Sequence, residues 1–107
     1  MAVGSGVEIV RPIVDRYVGA LRQHRVHPMS VYLFGSYATG TPRDESDIDV
    51  AVVSEDLSGD PIEDQVLLME CRWDVDLRIE PHPFRPEDFT PDNPWAAEIM
   101  KTGIRIV

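Results

Sequence analysis

Three aspartates and a glycine-serine turn are the residues of this chain whose types and spacing could run a reaction. Gly35 and Ser36 close the apolar run Val31-Tyr32-Leu33-Phe34. A glycine there lets the backbone turn where a side chain would clash, and the serine adds a hydroxyl and an amide beside a short helix start, a combination able to cradle a phosphate. Asp47 and Asp49 lie two residues apart at the head of the β-branched run Ile48-Asp49-Val50-Ala51-Val52-Val53. In an extended segment both carboxylates project from the same face. Magnesium takes a few carboxylate oxygens together with waters and substrate phosphates, and a pair of such ions can align the attacking and leaving oxygens of a displacement. Asp76, on the polar side of the alternating stretch Trp73 to Glu80, supplies a third carboxylate. An acid placed mid-strand between Val75 and Leu77 is costly to leave unpaired, which a metal or a nucleophile would explain.

Each feature alone also has an ordinary reading. A glycine-serine pair after a strand is commonly a turn, an Asp-Ile-Asp at a strand entrance can be a solvated fringe, and Asp76 can be an exposed strand-face residue. Their joint order, each at or within an expected strand, carries the chemical reading.

The elements that must position these residues can be read from periodicity. Val7, Val10, Val14, Tyr17, Val18 and Leu21 recur at helical spacing after a Ser5–Glu8 capping pair, predicting a helix from about Gly6 to Gln23 that Pro12 bends or delays. Val31 to Phe34 is a buried strand, Ser36 to Ala38 a short helix, Gly40 to Asp44 a loop and Asp47 to Val53 a second strand. Asp60-Pro61-Ile62-Glu63 reads as an N-cap with proline in the first turn, opening a helix to about Cys71. Trp73 to Glu80 alternates and is expected as a half-buried strand, and Pro81 to Pro94 as a loop. Asn93-Pro94 starts a final helix that Gly103 stops, and Ile104 to Val107 offers a last short strand. The order is that of a small α/β (α+β) domain with helices packed on a sheet.

Bulk composition narrows the setting. The 107 residues suit a single domain spanning 1–107, and 43% hydrophobic with 27% charged residues suits a soluble globular chain. No apolar stretch approaches a bilayer span and MAVGSGVEIV does not look like a secretory signal, so no membrane is expected and the location is read as cytoplasmic. The lone Cys71 allows no intrachain disulfide. A net charge of −9 argues against a broad basic surface, so no direct nucleic-acid binding is expected.

The segment Gly35-Ser36, ten intervening residues, then Asp47-Ile48-Asp49 resembles the GS-x10-DxD signature of the nucleotidyltransferase superfamily that includes DNA polymerase β. Leu33 to Gly40, Ser46 to Val52, Val75-Asp76-Leu77 and the closing Asn93-Pro94-Trp95 with Glu98 to Ile104 look like its single-domain branch, the minimal nucleotidyltransferases (MNT), from about Val7 onward. The resemblance implies a mixed sheet flanked by helices, with ATP as substrate and two Mg2+ ions. It places Gly35 and Ser36 on the triphosphate, Asp47 and Asp49 on both ions, and Asp76 on the ion nearer the acceptor, activating its hydroxyl. Tyr37 departs from the pattern, standing where many relatives carry a basic residue, and Arg43 is the available substitute.

The same resemblance points to the antitoxin type of HEPN/MNT pairs: a protein adenylyltransferase moving AMP onto a tyrosine of a partner HEPN toxin, in a possible homo- or hetero-oligomer. The alternative is a binding antitoxin that neutralises its partner by complex formation, its nucleotide site idle. Other residues read as structural. His24, His27 and His82 fit surface or helix-end positions better than a zinc site, and Trp73 and Trp95 fit a core or interface. Glu55, Asp56, Asp60, Glu63 and Asp64 fit a solvated acidic face.

Overall fold

The computed structural model describes residues 5–39 and 47–107. Helix α1 (Ser5–Gln23) turns Val10, Val14, Tyr17, Val18 and Leu21 inward, every one of them buried. The expected delay at Pro12 is not found. The proline lies inside the helix with its ring exposed, so it removes one backbone donor without crowding the core. Arg25, at φ 65°, takes the left-handed conformation that ends the helix, and the Val26 amide donates to the Leu21 carbonyl at 2.8 Å.

Strand β1 (Ser30–Phe34) leads through Gly35 into the single turn α2 (Ser36–Thr39), and β2 (Ile48–Val53) returns antiparallel to β1. Helix α3 (Pro61–Glu70) starts as read from sequence, the Asp60 carboxylate accepting from the Ile62 and Glu63 amides. After β3 (Ile79–Phe84), a short 3-10 turn (Pro86–Asp88), α4 (Pro94–Thr102) and β4 (Ile104–Arg105) complete the order. Asn93 caps α4 by accepting from Trp95 and Ala96. The sheet runs β3-β2-β1-β4, with β3 parallel to β2 and the other pairs antiparallel, so it is mixed.

Two clusters cover its two faces. Val31, Leu33, Ile48, Val50, Val52 and Ile79 pack with α1, Tyr37 of α2 and Leu68 of α3. Ala51, Val53 and Phe84 pack with Ala96 and Ile99 of α4 on the other face. The Tyr17 hydroxyl donates to the Leu68 carbonyl at 2.7 Å and ties α1 to α3. Burial of that phenol raises its pKa.

The third strand corrects the sequence reading. Trp73 to Arg78 forms turns rather than a strand, with Trp73 and Leu77 exposed, and the strand occupies Ile79–Phe84, inside the proline-punctuated segment expected as loop. Edge position explains this. The Ile48 amide donates to the Arg78 carbonyl and the Ser54 amide to the Phe84 carbonyl, so the even-numbered residues of β3 face β2. Pro81 and Pro83 fall on the alternate positions, where a missing N–H leaves the ladder intact. The outward carbonyls of Ile79 and Pro81 accept from Arg72 Nη1 at 2.7 Å and Gln65 Nε2 at 2.9 Å. Side chains thereby cap part of an exposed edge.

The acidic stretch 55–64 is also more structural than expected. Asp64 is buried, accepting from the Ser58 amide and hydroxyl and from the Gly59 amide. Asp56 accepts from the His27 amide at 2.8 Å, and that bond holds its carboxyl below the usual range.

Candidate active site

Asp49 is the best-defined member of the site. It pairs in register with Phe34 of β1 on one side and with Glu80 of β3 on the other. Residues in register share a sheet face, so Phe34, Asp49 and Glu80 lie side by side, with His82 one step further along that face. His82 Nε2 stands 3.3 Å from Asp49 Oδ1. The other carboxylate oxygen, Oδ2, lies over Gly35: a Cβ built on that glycine would collide with it, and Gly35 sits at φ 78°. The turn after β1 and the acid of β2 therefore lie against each other.

Ser36 opens α2 directly after that turn. Asp47 is exposed at the entrance to β2, two residues before Asp49 and on the same side of the chain where it is extended. Arg43 and the expected loop from Gly40 to Asp44 lie outside the described residues. Tyr37 does not face a ligand site: it is buried in the core, its hydroxyl accepting from Arg78 Nη1 at 3.4 Å.

Asp76 is placed differently from the mid-strand position expected. It sits in the turn before β3, where Oδ1 accepts from the Arg78 amide at 2.8 Å and Nε at 3.1 Å, while Oδ2 accepts from Nη2 at 2.9 Å. The Arg78 guanidinium holds this carboxyl below the usual carboxylate range. Its cost as a partly buried acid is thus met by an arginine within the chain. Glu80, which shares the polar alternation of 74–80, is the acid that the register sets beside Asp49. The signal for it was present in that alternation, but only strand pairing distinguishes it from Asp76.

Two acids side by side on neighbouring strands repel, and a cation between them removes that cost. Among the described residues no group of three His, Cys, Asp or Glu side chains is arranged to enclose a metal ion. One or two carboxylates open to water and phosphates suit magnesium, which is seldom held in an all-protein cage, so the oxygen donors of Asp47 and Asp49 are of the kind that ion takes.

Beside the acids runs an aromatic wall. The His82 ring lies 5.1 Å from Phe34 and 5.3 Å from Trp95, and Trp95 also meets Phe84 edge-on at 5.3 Å. Trp95 remains half exposed, so it is part core and part surface. His24 and His27 are far from this wall in sequence and occupied locally, with Ala20 and Asp56 respectively. Cys71 is buried, its thiol pushed up to about 11 by desolvation, which makes it a packing residue rather than a nucleophile.

The family model described as "Polymerase beta, Nucleotidyltransferase" matches residues 19–107. No curated protein matches the chain. Among solved structures, a toxin–antitoxin complex with AMP-PNP superposes with a TM-score of 0.63 at 22% identity, covering 87% of this chain and 71% of that one. A structure assigned as a nucleotidyltransferase, from Sulfolobus solfataricus, gives 0.57 at 17% identity, covering 92% and 77%. A double aspartate-to-glutamate mutant of the toxin–antitoxin pair MntA-HpeT gives 0.56 at 20% identity, covering 87% and 71%. At these identities the structural likeness is one of fold. Among the described residues no helix is long and apolar enough to cross a membrane.

Proposed function

Since the chain belongs to the polymerase beta nucleotidyltransferase family, we propose that it moves AMP from ATP onto a hydroxyl of a partner protein, a toxin tyrosine, and so acts as an antitoxin. The observation that carries this is Asp49, wedged between the Gly35 turn and Glu80. In this reading Gly35 and Ser36 hold the triphosphate, and Asp47 and Asp49 hold the magnesium ions. A bound ion pair would neutralise phosphate charge and orient the reacting oxygens.

The protein's own part is positioning. Gly35 lets the turn lie against the Asp49 carboxylate, because a side chain at residue 35 would collide with it. Asp49 stands on a strand buried along most of its length, so its place is held by the sheet, and Asp47 immediately precedes that strand. The acceptor hydroxyl attacks the α-phosphorus in line, its proton leaves, and pyrophosphate departs. The third carboxylate, expected at Asp76, is better supplied by Glu80, which register sets beside Asp49 while Asp76 is committed to Arg78. A partner of HEPN type supplies the tyrosine; the structural neighbours that are toxin–antitoxin pairs support the class of partner.

The test is transfer of label from α-labelled ATP, with magnesium, onto the product of the neighbouring gene. Asp47→Ala and Asp49→Ala should each lower the rate by at least ~100-fold, the scale of losing one preorganised charge-stabilising contact. The second reading is a binding antitoxin with an idle site. It would be established by neutralisation that these variants retain in full, without label transfer.

A further inference from the structure

Resting on the reading of Asp49 as a cation ligand, we propose that His82 is a positioning residue for that carboxylate, held in a ring slot built for the purpose. His82 Nε2 faces Asp49 Oδ1 at 3.3 Å, and the two side chains are 23% and 28% exposed. An ionised carboxylate only accepts, so the ring must carry its proton on Nε2 to bond it. The ring cannot turn away freely, because Phe34 packs on it at 5.1 Å, tilted, and Trp95 meets it edge-on at 5.3 Å. The other oxygen, Oδ2, lies where only a glycine at residue 35 avoids a collision.

Asp49 thus has Oδ1 facing a donor and Oδ2 over the side of Gly35 that carries no side chain. A carboxylate so oriented keeps its remaining lone pairs directed to one place. Groups that hydrogen-bond a metal-binding side chain in this way typically set 10- to 100-fold in metal affinity or activity. Trp95 belongs to the same device through its contact with His82, which explains why a half-exposed tryptophan starts the last helix at this end of the sheet.

The experiment measures binding of Mn2+ with a non-hydrolysable ATP analogue, read from the electron paramagnetic resonance signal of free Mn2+. His82→Phe keeps a ring between Phe34 and Trp95 but loses the N–H, and His82→Gln returns an amide donor near the Nε2 position. The expected result is a dissociation constant raised about tenfold in His82→Phe and substantially restored in His82→Gln. Wild-type affinity in a folded His82→Phe protein overturns the proposal, and so does a His82→Gln protein as weak as His82→Phe. Nitrogen coupling to the bound ion in pulsed spectra would also overturn it, by making His82 a ligand. Should wild type take up no Mn2+, or should His82→Phe not fold, nitrogen spectra of the wild-type ring decide: Nε2 protonated and shifted in Asp49→Asn supports the bond, and Nδ1 protonated removes it. Absence of Mn2+ uptake with the bond present counts against the transferase reading alone.

Discussion

Gly35 and Asp49 occupy complementary space: a Cβ on residue 35 would collide with the Asp49 Oδ2 atom. The turn after β1 and the acid of β2 therefore constrain each other. Replacing Gly35 by alanine meets both this collision and the strain of an L-residue at φ 78°. We expect Gly35→Ala to lower stability by about 1–3 kcal/mol in urea unfolding. Transfer activity should fall further than stability alone explains, because the displaced group is Asp49. Unchanged stability and activity in Gly35→Ala would show that the two residues are not coupled.

Asp76 and Glu80 differ in their surroundings: Asp76 is paired with Arg78, while register sets Glu80 beside Asp49. The folded pKa of Asp76 lies below its unfolded value because Arg78 bonds the charged form. Its contribution is thus fully present above the unfolded pKa of about 3.9 and is lost as pH falls through the lower folded value. Asp76→Asn should lower stability at pH 7 by about 1 kcal/mol or less, discounted because the pair is partly exposed. The difference from wild type should shrink as pH falls below the ordinary aspartate range. Glu80→Gln should show the larger loss of transfer, at least ~100-fold, with little change in the unfolding midpoint. The opposite ranking in the transfer assay would return the third carboxylate to Asp76.

Pro81 and Pro83 test the account of the β3 edge. Their nitrogens point away from β2, so a Pro81→Ala, Pro83→Ala double variant should keep the strand and change stability by no more than ~2 kcal/mol, mainly through the unfolded chain. It restores two donors on an open edge, and light scattering should show more self-association at high concentration. Loss of the strand in circular dichroism would mean that the prolines shape it rather than merely fit it.

Local chemistry was legible wherever a single segment decides its own conformation. The Asp60 and Asn93 caps, the helical periodicity from Val10 to Leu21 and the apolar β1 and β2 runs are set by nearest neighbours, and the structure has them where periodicity put them. The glycine-serine turn and the Asp47–Asp49 spacing are short-range features of the same kind. The third strand was not legible. Trp73 to Glu80 alternates like a strand, while Ile79 to Phe84 contains two prolines, and local propensity favours the wrong one. Only an edge position, where alternate N–H groups face away from the ladder, makes a proline strand acceptable.

By itself, then, the sequence determined the order of elements, the family signature from Gly35 to Asp49 and the residue types that can hold a phosphate and a cation. Tertiary structure decided which distant residues join them. Parallel pairing of β3 on β2 sets Glu80 beside Asp49 and brings His82 to the carboxylate from 33 positions away. The physical reason is register: side chains alternate between faces every residue, so which acid meets Asp49 depends on a pairing between strands that neither segment encodes alone.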